Sequence, residues 1–171
     1  MWSAKAEPPG RDPLSTDREP THESWLSANV GLKTPVVATM HLGYFADFKS
    51  GEALLMEADI EGLQELRGMF QALAAGRIRR VILHRLPFVQ VHHAVELRAS
   101  SGPEDPGVRR DGAGNSFLWE RSRDGWRDAA EKLTVLIEDP NACHHYLRAE
   151  QDDVDVVVSK GEYGDTWWAR Q

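Results

Sequence analysis

The sequence predicts an α+β fold in which two tandem β-α-β-β units form one largely antiparallel sheet with two helices packed on one face. Three observations lead there. Apolar residues recur at helical spacing in two places, Leu63, Leu66, Phe70 and Leu73 and then Trp126, Ala129, Ala130, Leu133, Leu136 and Ile137. Short runs rich in Val, Ile, Thr, Tyr and Phe flank both stretches, as strands do. The second half also repeats the first: shifted by 63 positions, residues 54–97 lie over 117–160 without a gap, with caps, apolar stripe and both following strands in phase.

Residues 1–34 place Pro8, Pro9, Pro13 and Pro20 among charged and small polar side chains, with only a few scattered apolar residues such as Trp2, Trp25 and Leu26. Such a segment buries too little to offset the entropy of ordering it, so a mobile arm is expected, followed by a single domain over 35–171. The first strand is expected over 36–48, and the turn Lys49-Ser50-Gly51-Glu52 leads into a second over 53–58. Asp59 is the N-cap of the first helix and Gly76 its stop signal. Residues 81–84 and 91–98 read as the next two strands, with Pro87 in the connection, where a missing N–H does no harm. Residues 100–115, SSGPEDPGVRRDGAGN, mix Gly, Pro and charge without periodicity and read as a flexible loop.

The second unit opens at Ser116. Ser122 caps a helix over 123–138, which turns Asp124, Asp128, Glu131 and Lys132 to water and ends before Pro140, a residue that cannot continue it. Strands over 144–147 and 154–158 follow. The tail from Gly161 carries Tyr163, Trp167 and Trp168, and adjacent tryptophans of this size are expected to dock on the core.

Composition narrows the function. The 171 residues include one cysteine, 20 basic and 27 acidic side chains, for a formal charge of -7. One cysteine cannot close an internal disulfide or build a four-cysteine zinc module, which fits a reducing cytoplasm. No apolar run reaches the ~18 residues of a membrane span, and the first ten residues lack the basic-then-apolar layout of a signal peptide. Net acidity speaks against a nucleic-acid partner, whose phosphates need Lys and Arg, and for a basic one.

Several residues could carry chemistry. His41, His84, His92, His93, His144 and His145 all fall on expected strands, and His92 with His145 and Asp155 could supply the three protein ligands of a catalytic zinc. Adjacent histidines on a strand point to opposite faces, so each pair offers one ligand at most. Cys143 beside His144 and His145 has the composition of a nucleophile site, but sequence neighbours on a strand diverge, and a free cysteine is most often simply a small buried apolar residue. Glu57 and Glu120 are equivalent in the repeat and precede the two helix caps, where either acid-base work or the helix dipole accounts for a carboxylate. Gly112-Ala113-Gly114-Asn115 lacks the Lys and following helix of a phosphate loop. Charge is uneven: EQDDVD over 150–155 is acidic, while Arg77, Arg79, Arg80 and Arg85 cluster after the first helix. Solvated turns account for both runs, and a steering surface is the alternative.

The run FLWERSRDGWRDAAEKLTVLIED, then HHYL and VDVVVSKGEY, resembles small bacterial immunity proteins of polymorphic toxin systems. The resemblance spans residues 116–163, with 54–76 a looser match. It implies a cytoplasmic α+β protein that binds and blocks a cognate toxin, with no cofactor, no chemistry of its own and no catalytic residues to carry over. The expectation is therefore a non-catalytic inhibitor, monomer or homodimer, that captures a basic toxin. Glu150, Asp152, Asp153 and Asp155 would accept the basic side chains, and Tyr163, Trp167 or Trp168 would serve as aromatic anchors. The alternatives are a small metal-dependent enzyme using the strand histidines, and a structural or regulatory oligomerisation module.

Overall fold

The computed structural model describes residues 37–49, 51–149 and 152–171, so the expected arm and Glu150 lie outside the described residues. The chain is α+β, and Pro35–Gln171 forms one compact unit. β1 (Met40–Phe48) and β2 (Gly51–Ala58) pair antiparallel, and alternation sends Met40, Leu42, Tyr44, Leu54 and Met56 to the main core. α1 (Ile60–Ala74) starts where the Asp59 side chain accepts the Gly62 N–H at 2.6 Å. It buries Leu63, Leu66, Phe70 and Leu73, and stops where Gly76 takes φ +68°. α2 (Arg123–Glu138) repeats the device, with the Ser122 hydroxyl accepting the Gly125 N–H at 3.1 Å and Trp126, Ala129, Ala130, Leu133 and Leu136 buried.

The remaining elements are β3 (Arg80–Ile82), a 3₁₀ turn at Leu83–Arg85, β4 (Val89–Val91), β5 (Glu96–Ser101), β6 (Gly107–Arg110), β7 (Ser116–Arg121), β8 (Cys143–Tyr146), β9 (Asp155–Lys160) and α3 (Asp165–Trp168). They form two sheets where one was expected, with strand orders β4-β1-β2-β9-β8 and β3-β5-β7-β6. Four of the pairings are antiparallel and three parallel. The two halves exchange strands: β2 of the first pairs with β9 of the second, and β7 of the second pairs with β5 of the first, both parallel. A crossover helix has the same apolar period whether the next strand returns to its own sheet or enters another, which is why the pattern suggested a single sheet.

Three local expectations also change. The strand expected over 91–98 is split by a turn in which His93 (φ 55°) and Ala94 (φ 50°) are left-handed and the Val95 N–H donates to His92 O at 3.3 Å. The loop expected over 100–115 contains β6, anchored by fully buried Val108. Beyond the helices the repeat slips by four residues, so Val156 on β9 matches Leu97 on β5 at a displacement of 59, each pairing with the equivalent strand of the other half, at Leu54 and Phe117.

Both sheets turn one face to a shared core. α1 touches β2 and β5, α2 touches β7, β8 and β9, and the two helices pack on each other. Phe70, Trp119 and Trp126 meet at its centre, with ring centroids 4.8–5.4 Å apart. A smaller core of Ala53, Leu55, Val157 and Trp168 lies on the outer face of the five-stranded sheet, where α3 covers it. No helix among the described residues is long and apolar enough to cross a membrane.

Candidate functional site

Register on that outer face assembles the site. His41 stands opposite Gln90 on β4 and Glu57 on β2, Glu57 opposite Ser159 on β9, and Ser159 opposite His144 on β8. One polar row thus crosses all five strands. The C-terminal segment lies over it, and Gly76-like turn chemistry at Gly161 (φ +72°) starts the segment back across the sheet. The Gly161 N–H donates to Glu57 Oε1, and Glu162 Oε2 accepts from the Ser159 hydroxyl at 3.1 Å and lies 2.7 Å from His144 Nδ1. Asp165 Oδ1 is 3.3 Å from His41 Nε2, while His41 Nδ1 and His92 Nε2 share a hydrogen bond of 2.9 Å. Trp168 stacks on His41 with centroids 5.1 Å apart and planes 12° off parallel.

Glu57 is the unusual member. It is 6% exposed, and its Oε2 is buried without a hydrogen-bond partner among the described residues. Burial pushes its carboxyl above the usual range, against the pull of the Ser159 hydroxyl and the Gly161 and Tyr163 amides beside it. Above it opens a cleft of 210 Å³ lined by Thr39, His41, Glu57, Asp59, Tyr163 and Asp165, with no lysine or arginine in its walls. Asp59 is engaged by the Thr39 and Gly62 amides and the Thr39 hydroxyl, so it adds negative field more than free acceptors. Beside the cleft, Phe45, Phe48, Tyr163 and Trp167 form a half-buried aromatic ring with neighbouring centroids 4.8–5.9 Å apart.

The repeat builds this constellation twice. Glu120 on β7 stands opposite Ser100 on β5, with Gly102 against its carboxylate, as Glu57 stands with Ser159 and Gly161. In the second copy the carboxylate is matched by cations: Arg109 Nη2 lies 3.4 Å from Glu120 Oε2, and Arg79 and Arg80 line the same hollow.

The residues singled out from the sequence are distributed unevenly. Tyr163 and Trp167 reach the aromatic ring, and Trp168 is buried beneath it at 2% exposure, so it cannot act as an exposed anchor. Asp152 turns inward, accepting the Val108 N–H at 2.7 Å and the Ala149 N–H at 2.6 Å, which commits its carboxylate to holding the chain. Asp155 pairs with Arg148 at 2.8 Å, and Asp153 is exposed. His92, His145 and Asp155 do not converge. His92 follows β4 and His145 lies on β8, at opposite edges of a five-stranded sheet and hence about 19 Å apart across four strand spacings. Nor does any group of three His, Cys, Asp or Glu among the described residues sit where it could hold a metal ion. His84, His92 and His93 fall outside strands altogether. Burial, then Asp139, pushes the Cys143 thiol up, away from the thiolate a nucleophile needs. Glu57 and His41 were legible as individual candidates; Glu162 and Asp165 were not, because only the β2–β9 pairing brings the tail over β2.

Compared with family models, curated proteins and solved structures, the chain matches none.

Proposed function

We propose that this chain is a non-catalytic binding protein of the immunity-inhibitor kind, one that captures a basic protein toxin and blocks it. The observation that carries this reading is the junction, on one sheet face, of the aromatic ring Phe45, Phe48, Tyr163 and Trp167 with the carboxylates of Glu57, Glu162 and Asp165. Partly buried aromatic side chains supply affinity once a partner excludes water from them, and a carboxylate border steers a basic partner and fixes its register. The net charge of -7 acts in the same direction over longer range. The carboxylates would accept charge-assisted hydrogen bonds from Lys or Arg around the toxin's active site or substrate groove and cover it. Such an inhibitor works where its toxin works, which for this class is the bacterial cytoplasm.

The test is a titration against the protein products of the neighbouring genes, among which a basic toxin is expected. A 1:1 complex and loss of the partner's activity are expected. Replacing Tyr163 and Trp167 together by Ala should weaken the complex by about 30-fold or more, the cost of losing one strong anchor. Raising salt from about 0.05 to about 0.5 M should slow association more than it speeds dissociation. Absence of any complex, or a complex indifferent to the double substitution and to salt, overturns the reading.

A further inference from the structure

We propose, building on the reading of the chain as a captor of basic proteins, that the cleft above Glu57 is the seat of one arginine side chain of the partner. Three independent observations converge on it. The walls carry Glu57, Asp59 and Asp165, with the His41 imidazole against Asp165 and no lysine or arginine beside Glu57 and Asp59. Within that cleft Glu57 is more than nine-tenths buried, and although the Ser159 hydroxyl and the Gly161 and Tyr163 amides lie beside the carboxyl, its Oε2 forms no hydrogen bond among the described residues, an arrangement that costs stability unless something donates to it. The chain's own duplicate of the constellation shows the missing chemistry, because Glu120, with Ser100 and Gly102 in the places of Ser159 and Gly161, is partnered by the Arg109 guanidinium and flanked by Arg79 and Arg80.

A guanidinium fits the vacancy in chemistry as well as charge. It presents several N–H donors in a planar fork, so it can serve the Glu57 carboxyl and a second acceptor at once. Asp165, almost fully exposed at the mouth, offers that second acceptor, and the Tyr163 ring lines the wall beside it. The desolvation that raises the Glu57 pKa is offset when a cation arrives, so occupancy favours the carboxylate form.

The experiment reads the seat without the toxin. Nα-acetyl-L-arginine methylamide is titrated into the full chain while the Gly161 amide, whose N–H rests on Glu57, is followed by NMR. The neutral citrulline isostere serves as control. A saturable shift with the arginine probe is expected, at least about tenfold weaker with citrulline and in E57Q, and about threefold weaker in D165N, whose site is on the surface and leaves the fold intact. No saturable shift, an equal response to citrulline, or an unchanged affinity in E57Q overturns the seat. The outcome is separable from the broader reading: toxin capture that persists at wild-type strength in E57Q removes the arginine seat and keeps the inhibitor, whereas probe binding without toxin capture keeps the seat and removes the inhibitor.

Discussion

Glu57 is a carboxyl group held where its charge is costly, and its titration should be visible in the stability of the whole chain. Its ordinary value of 4.5 is raised in the folded state, chiefly by burial. The folded form therefore binds the proton more tightly than the unfolded form, so the contribution is fully present below the unfolded value and is lost as pH rises through the folded one. E57Q keeps an amide oxygen for the Gly161 N–H and cannot ionise. It should gain on the wild type in urea unfolding as pH rises from about 4 to 7. His92, whose pKa is lowered by burial and by His41 and His93, works in the opposite sense as pH falls below 6.5, and it is common to both proteins, so the difference between them isolates Glu57. A stability difference that does not change with pH would mean that ionising Glu57 costs nothing. The sequence marked this residue through its equivalence to Glu120. Its surroundings stayed hidden, because they are contributed by a strand about 100 residues away in the chain.

Among the elements, the two helices were legible almost to the residue, since a 3.6 period, an N-cap and a stop signal all agree. The turn at His93-Ala94 was not, because left-handed backbone is ordinarily announced by Gly or Asn and neither is present. β6 was missed for a related reason: in Gly107-Val108-Arg109-Arg110 only one side chain is apolar, too few for a period. The caps make a sharper prediction than the stripes. Gly62 and Gly125 occupy the same place in α1 and α2, but a Cβ on Gly62 would sit 2.4 Å from the backbone oxygen of Thr39, whereas one on Gly125 would meet the movable carboxylate of Asp105. Gly62→Ala should cost about 1–3 kcal/mol despite the better helix propensity of alanine, and Gly125→Ala should cost less. Equal costs in chemical denaturation would show that the first turn of α1 shifts freely.

Across the whole molecule, the gapless match of residues 54–97 to 117–160 suggested the order of elements in each half but neither the register of the last strand nor the strand exchange, because nothing in an apolar period records which sheet a strand will join. The exchange has a mechanical consequence. Neither sheet is made by one half alone, and both helices serve one core, so the first half cannot open while β9 keeps its bonds to β2, nor the second while β7 keeps its bonds to β5. Two domains joined in series would unfold in two steps, whereas this arrangement should unfold in one. Leu63, fully buried in α1, tests the point from one side only. Leu63→Ala should destabilise by about 2–5 kcal/mol, as truncations in a packed core do. Native-state hydrogen exchange should then show β9 and β7 amides, which belong to the other half of the sequence, losing as much protection as those of β2 and β5. If the loss stays within residues 40–101, the halves are energetically separate and the exchanged strands couple them in geometry alone.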